Sequence, residues 1–298
     1  MKSIESGAQT CGEARLLAEK QVIDFHIHPY RSFEEYMGVY GEDFFLPPSA
    51  MRADLEAAGI GLACGSVLLR GRRGAVKNFD EIRALNRAAR ELKALHKDFY
   101  EPGIHIHPAF PEESAREIEA AHRDGIRLIG ELVPYLHGWE ADGHDYASGA
   151  LSELLSLAER LGMIVSFHTM PEWPEQTEKM VAAHPSLTFV AAHPGQREDF
   201  EKHVGRMKKY PNLLLDLSGT GLFRYGLLAA AVKAVGSERI LFGTDFPICN
   251  PRMYVQAVLG EHISDADKEK ILFGNARRLL AAAVSELLPE KKKSETAL

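Results

Sequence analysis

Eight short apolar runs recur along the chain, at 21–28 (QVIDFHIH), 60–69 (IGLACGSVLL), 99–107 (FYEPGIHIH), 126–133 (IRLIGELV), 162–168 (GMIVSFH), 187–193 (LTFVAAH), 212–218 (NLLLDLS) and 239–245 (RILFGTD). Longer segments of helical period lie between them, for example at 77–97, 111–124, 148–161 and 197–209. Such alternation signals βαβ units and a parallel sheet. Eight strands, each followed by a helix, predict an α/β fold, a single-domain (β/α)8 TIM barrel, which typically needs about 250 residues. A doubly wound open sheet is the structural rival, but it usually carries a Gly-rich phosphate loop after its first strand. Here the first strand runs into HIHPYR. The expected organisation is an N-terminal extension at 1–20, the barrel at 21–287 and a charged tail at 288–298.

Composition narrows the partners. With 35 Lys and Arg against 42 Asp and Glu the formal net charge is -7, which disfavours nucleic acid, whose binding rests on cationic neutralisation of phosphates. No apolar stretch approaches the 18 or so residues of a membrane span, and the opening MKSIESGAQTCGEARLL has no continuous apolar run of a secretory signal. Cys11, Cys64 and Cys249 are odd in number and widely spaced, which suits a reducing cytoplasm, with buried inert thiols at 64 and 249. The expected partner is a small-molecule substrate. The loop at 29–49 is rich in aromatics, namely Tyr30, Phe33, Tyr36, Tyr40, Phe44 and Phe45. It reads either as a lid over the barrel mouth or as a loop packed against the barrel.

The chemistry-bearing residues cluster by position. In the first strand, strict alternation would turn Asp24, His26 and His28 inward and Ile23, Phe25 and Ile27 toward the helices. Chance alone supplies roughly 0.6 HxH pairs in a chain with this histidine content, so the motif is weak by itself. Its company strengthens it. His168, His193 and Asp245 end the fifth, sixth and eighth runs, and the carboxyl ends of the strands are where barrel enzymes build their sites. Satisfied core histidines have no reason to gather there. The donor set points to a bound metal ion.

DFHIHP at 24–29, FHT at 167–169, AAHPG at 191–195, DLSG at 216–219, LFGTDFP at 241–247 and FGNARRLL at 273–280 together resemble the amidohydrolase superfamily. The likeness is to its amidohydrolase-related branch, which also contains aromatic-acid decarboxylases and lactonases. The resemblance spans about residues 21 to 282, in the family's order. It implies metal ligation by His26, His28, His168 and Asp245, with His193 acting on substrate, and a dimer or larger assembly. A cation held by imidazoles and one carboxylate lowers the pKa of a bound water from 15.7 to roughly 7. Asp245 can take that water's proton and His193 can bond an oxygen where charge develops. Nitrogen-rich ligation favours Zn2+, with Mn2+ or another transition metal as alternatives.

Further residues form a second tier. Glu131 ends the fourth run, where it can hold a second metal or simply pair with a neighbouring Arg or His; a single metal is expected. Asp24 is expected to orient a ligand histidine. His107, Tyr30, His137 and Trp139 are candidates to line the pocket, and Arg70, Arg197 or Arg224 to clamp a substrate carboxylate. Asn275 and Arg277 read as packing or capping residues. The leading reading is a metal-dependent hydrolase of a small amide, cyclic amide, lactone or ester. The alternative is a metal-dependent non-oxidative decarboxylase of a small aromatic or unsaturated acid, and a third is a non-catalytic ligand-binding barrel.

Overall fold

A computed structural model describes residues 21–38, 42–71, 74–222 and 224–285. The expected N-terminal extension, the charged tail, Tyr40, Arg72 and Arg73 lie outside the described residues. Eight parallel strands succeed one another round a ring in sequence order: β1 Val22–Ile27, β2 Ile60–Gly65, β3 Tyr100–Ile104, β4 Leu128–Leu132, β5 Ile164–His168, β6 Thr188–Ala192, β7 Leu213–Asp216 and β8 Ile240–Leu241. The ring closes where the Phe25 amide donates to the Phe242 carbonyl at 2.8 Å, Asp245 to His26 at 2.8 Å and His28 to Phe246 at 2.7 Å. This is the predicted TIM barrel.

The helices form for reasons written in their sequence. Asp80–Leu95 buries Ile82, Leu85, Ala89 and Leu92 at three- and four-residue spacing, which makes one apolar stripe against the strands. Pro48–Glu56, Pro111–Arg123, Pro174–Ala183 and Pro251–Leu259 each open on proline, whose fixed φ and missing N–H suit a first turn. Asn250 caps the last of them by accepting from the Arg252 and Met253 amides. Asn275 donates to the carbonyls of Ser237 and Ile240 at 2.7 and 2.8 Å, tying the C-terminal segment to the lead-in of β8. No helix among the described residues is long and apolar enough to cross a membrane.

The core has two layers, and they correct the expected facing of β1. One cluster joins Ile23 and Phe25 with Cys64, Leu128, Ile164, Val190 and Leu241. Residues drawn from β1, β2, β4, β5, β6 and β8 can meet only inside the ring. The main cluster instead joins Ile27, Ile104, Ile129, Val165, Phe189 and Leu215 with helix residues such as Leu85, Ile118 and Leu154. Ile23 and Phe25 therefore fill the barrel rather than face the helices. Alternation holds from Ile23 to Phe25; a register shift between Asp24 and Ile27 in the β1–β2 ladder then breaks the two-residue period, re-aims the end of the strand and places Ile27 in the outer layer.

A second shift, between Ile129 and Leu132, does the same in β4 around Glu131. It includes Gly130, whose φ of 99° and lack of a Cβ, which would lie 2.1 Å from the Ser166 carbonyl oxygen, make glycine necessary there. The third and eighth strands are shorter than predicted. His105 and His107 lie beyond β3 because Asn86 takes over the backbone of His105, accepting from its N–H at 2.7 Å and donating to its carbonyl at 3.0 Å.

Candidate metal centre

At the carboxyl ends of the strands the side chains of β1, β4, β5, β6, β7 and the segment after β8 converge. His26 and His28 are both 2% exposed, and their Nε2 atoms face each other at 3.3 Å. Each Nδ1 is already committed: His26 Nδ1 donates to Asp216 Oδ2 at 3.0 Å, and His28 Nδ1 to the Ser66 carbonyl at 3.0 Å. With the protons on Nδ1, both Nε2 atoms present lone pairs. Asp245 Oδ1 joins them, 3.3 Å from His28 Nε2 and 3.7 Å from His26 Nε2. That oxygen is buried and has no hydrogen-bond partner. Glu131 Oε2 approaches from the other side, at 3.6 and 3.7 Å from the same two nitrogens. Convergent buried acceptors without donors would repel one another; a cation satisfies all of them. The donor set fits a divalent metal.

Among the described residues, two groups of ligand atoms lie within 4.8 Å of one another: His26, His28 and Asp245, and His26, Glu131 and His193. His168 belongs to neither. Its Nδ1 donates to Glu131 Oε1 at 2.9 Å, at the edge of the cluster. Glu131 Oε1 also accepts from His193 Nε2 at 3.1 Å. Glu131 thus touches four imidazoles, a more central place than the sequence indicated.

Electrostatics follow from this crowding. Burial opposes protonation of His26, yet the carboxylates of Asp216, Glu131 and Asp245 outweigh it and raise the imidazole to about 10. The same contest raises His193, with burial set against Glu131 and Asp245. Burial pushes the carboxyl of Glu131 up, but His168, His26 and His193 hold it well below the usual range. In the absence of a cation the cluster holds protons in its place, and metal binding would expel them.

Strand alternation would turn His193 to the side of Phe189 and Ala191, which belong to the outer layer. Its φ of 66° reverses that. Asp245 is likewise left-handed, at φ 68°. Such backbone conformations are costly for non-glycine residues and collect at functional sites.

Asp24 does not orient a ligand ring as expected. It accepts from the Thr244 amide at 3.0 Å and hydroxyl at 2.6 Å and from the His26 amide at 3.1 Å, fixing the backbone where β8 meets β1. Burial pushes its carboxyl up to about 7 against those bonds. The residue that holds the His26 ring is Asp216, which sequence reading left without a role, although it ends the seventh strand inside the DLSG motif.

The expected pocket residues are occupied elsewhere. Tyr30 is fully buried among Tyr36, Phe45 and Phe246, so the aromatic loop packs against the barrel. Trp139 is fully buried against Tyr146 and His107. His107 Nε2 donates to the His137 carbonyl at 3.1 Å, and the His137 ring sits edge-on to His105. Arg70 bonds the carbonyls of Tyr36 and Gly38. Arg197 pairs with Glu201, and Arg224 bonds Gln196 at the surface.

A sequence model described as Amidohydrolase matches residues 23–281. The chain belongs to the amidohydrolase family. Within that family, a 63-residue stretch is 40% identical to gamma-resorcylate decarboxylase of Polaromonas sp., covering 21% of this chain and 19% of that protein. The chain thus matches only about a fifth of that relative's length. Among solved structures, a TIM-barrel protein of Bordetella bronchiseptica superposes with a TM-score of 0.68 at 24% identity, over 88% of this chain and 99% of the other. A dihydroxybenzoic acid decarboxylase of Polaromonas sp., solved with bound manganese and 2-nitroresorcinol, superposes at 0.65 and 19% identity, over 90% and 98%. These two show a shared barrel fold.

Proposed function

We propose that this amidohydrolase is a divalent-metal-dependent, non-oxidative decarboxylase of a small aromatic acid. The observation that carries this over hydrolysis is the 40% identity to gamma-resorcylate decarboxylase across 63 residues; the superposition on a dihydroxybenzoic acid decarboxylase supports it. The hydrolase reading, first on sequence grounds, becomes the second one. His26, His28, Asp245 and Glu131 would hold the metal, zinc by its imidazoles or manganese by its carboxylates, with His168, expected as a ligand, at the edge through its bond to Glu131.

A bound cation would supply positive charge to polarise the substrate acid. His193, whose Nε2 faces Glu131 beside the metal site, donates to a substrate oxygen. Tyr135, 40% exposed with its ring 4.9 Å from that of His168, offers a face to a planar substrate ring. The bond from ring carbon to carboxylate breaks and its electron pair stays on the carbon. A proton passed to that carbon by Asp245 takes the place of the carboxylate, and carbon dioxide leaves. A homodimer or larger assembly is part of the same proposal, read by light scattering.

The test is carbon dioxide release from 2,6-dihydroxybenzoate and related hydroxybenzoates by protein loaded with zinc or manganese. It runs beside a panel of lactones, amides and esters. Stoichiometric carbon dioxide supports the lyase. Hydrolysis of the panel without carbon dioxide restores the hydrolase.

A further inference from the structure

The segment after β7 links the two histidines on which the site depends. Asp216 is fully buried, and its Oδ2 takes the Nδ1 proton of His26 at 3.0 Å. Its Oδ1 accepts from the Ser218 amide at 2.9 Å and from the Ser218 hydroxyl. Ser218 is also fully buried, and its Oγ lies 3.1 Å from His193 Nδ1. A carboxylate oxygen can only accept, so the hydroxyl proton belongs to the Ser218–Asp216 bond. The serine oxygen is then left as an acceptor, and the proton between it and the imidazole must sit on His193 Nδ1. The direction of the whole chain is fixed: His193 donates to Ser218, Ser218 donates to Asp216, and His26 donates to Asp216 from the other side.

The next residue makes room for this. A Cβ on Gly219 would lie 2.4 Å from His193 Nδ1, so the ring rests directly on the glycine backbone. Hydroxyl and bare glycine together set both the position of the left-handed His193 and its tautomer.

We propose that Ser218, with Gly219, is a positioning residue that keeps a proton on His193 Nδ1 and so turns Nε2 toward Glu131 and the metal centre, sharing its anchor Asp216 with the candidate metal ligand His26. The activity part of this inference rests on the proposed reaction; the tautomer part does not.

The first test is proton and nitrogen NMR of 15N-histidine-labelled protein, with His193 assigned by its loss in His193→Gln. The expected result is a hydrogen-bonded Nδ1–H on His193 that disappears or moves upfield in Ser218→Ala, while the Nδ1–H of His26 persists. A His193 protonated only at Nε2, or a signal unchanged in Ser218→Ala, overturns the proposal, whatever the enzyme turns over. The second test is kinetic, on the metal-loaded enzyme. Ser218→Ala should keep its metal content and KM and lose about tenfold in kcat, and Ser218→Thr, which restores the hydroxyl, should recover most of it. Loss of metal in Ser218→Ala would place its effect on His26 instead and also overturn the proposal. If wild-type protein releases no carbon dioxide, the function proposal fails while the NMR result still decides this one.

Discussion

The tetrapeptide His-Ile-His-Pro occurs at 26–29 and again at 105–108. In the first copy both rings donate from Nδ1, to Asp216 and to the Ser66 carbonyl, and their Nε2 atoms meet at 3.3 Å beside two carboxylates. In the second copy the same atoms face outward into packing. His105 Nε2 donates to the Val67 carbonyl at 2.8 Å and His107 Nε2 to the His137 carbonyl at 3.1 Å. The ring nitrogen that would bind a metal is used as a donor to backbone. Four identical residues therefore become a candidate metal centre or a structural tie according to which nitrogen the surroundings leave free.

The comparison breaks most sharply by mutation. His28→Ala should empty the site and reduce turnover to background, whereas His107→Ala should keep about one metal equivalent per chain; elemental analysis of both decides it. A His107→Ala protein that is folded yet metal-free would erase the distinction.

Next in size is the pair of buried aspartates near the first copy. Asp216→Asn should weaken metal binding by about 10–100-fold, because it removes the partner that fixes the His26 tautomer. Asp24→Asn should leave metal affinity within a few-fold while lowering the melting temperature, since it serves the backbone of Thr244 and His26. Competition with a chelator and thermal denaturation separate the two.

The copies should also give opposite pH slopes in chelated protein. His26 is raised to about 10 because three carboxylates outweigh its burial, so its contribution is complete below the unfolded value of about 6.5 and is lost as pH rises toward 10. His105 is lowered to about 4 by burial. Between about 4 and 6.5 the unfolded chain binds more protons there, so stability falls as the solution is acidified. Adding metal should flatten the alkaline slope alone, because the cation replaces the His26 proton. Melting curves across pH, with and without metal, would contradict the assignment if the alkaline limb did not respond.

The smallest effect is at the second copy's own support. Ser114→Ala removes a hydroxyl that accepts from the His107 amide and donates to its carbonyl, both at 2.9 Å. It should cost about 1–3 kcal/mol of stability, read by chemical denaturation, with unchanged metal content.

Much of this was legible in the chain. The eight runs placed the strands, and four of the longest helical segments appear within a few residues of where their period put them. His26, His28, His193, Asp245 and Glu131 could be picked out because strand ends are visible as places where an apolar run stops. The pocket candidates were not legible, because Tyr30, Trp139 and Arg70 are typed by chemistry in a sequence but assigned by contact in a fold. Asp216 and Ser218 were visible only as parts of a motif; their hydrogen bonds join residues 190 and 25 positions apart.

Sequence by itself determined the barrel and the carboxyl-end gathering of candidate metal donors, since both follow from local periodicity and from chain order. Tertiary structure alone decided which way those donors point. The shifts at Asp24–Ile27 and Ile129–Leu132 and the left-handed turns at His193 and Asp245 override strand alternation. They persist because neighbouring strands, through bonds such as Asp245 N–H to the His26 carbonyl, hold the backbone where its own period would not put it.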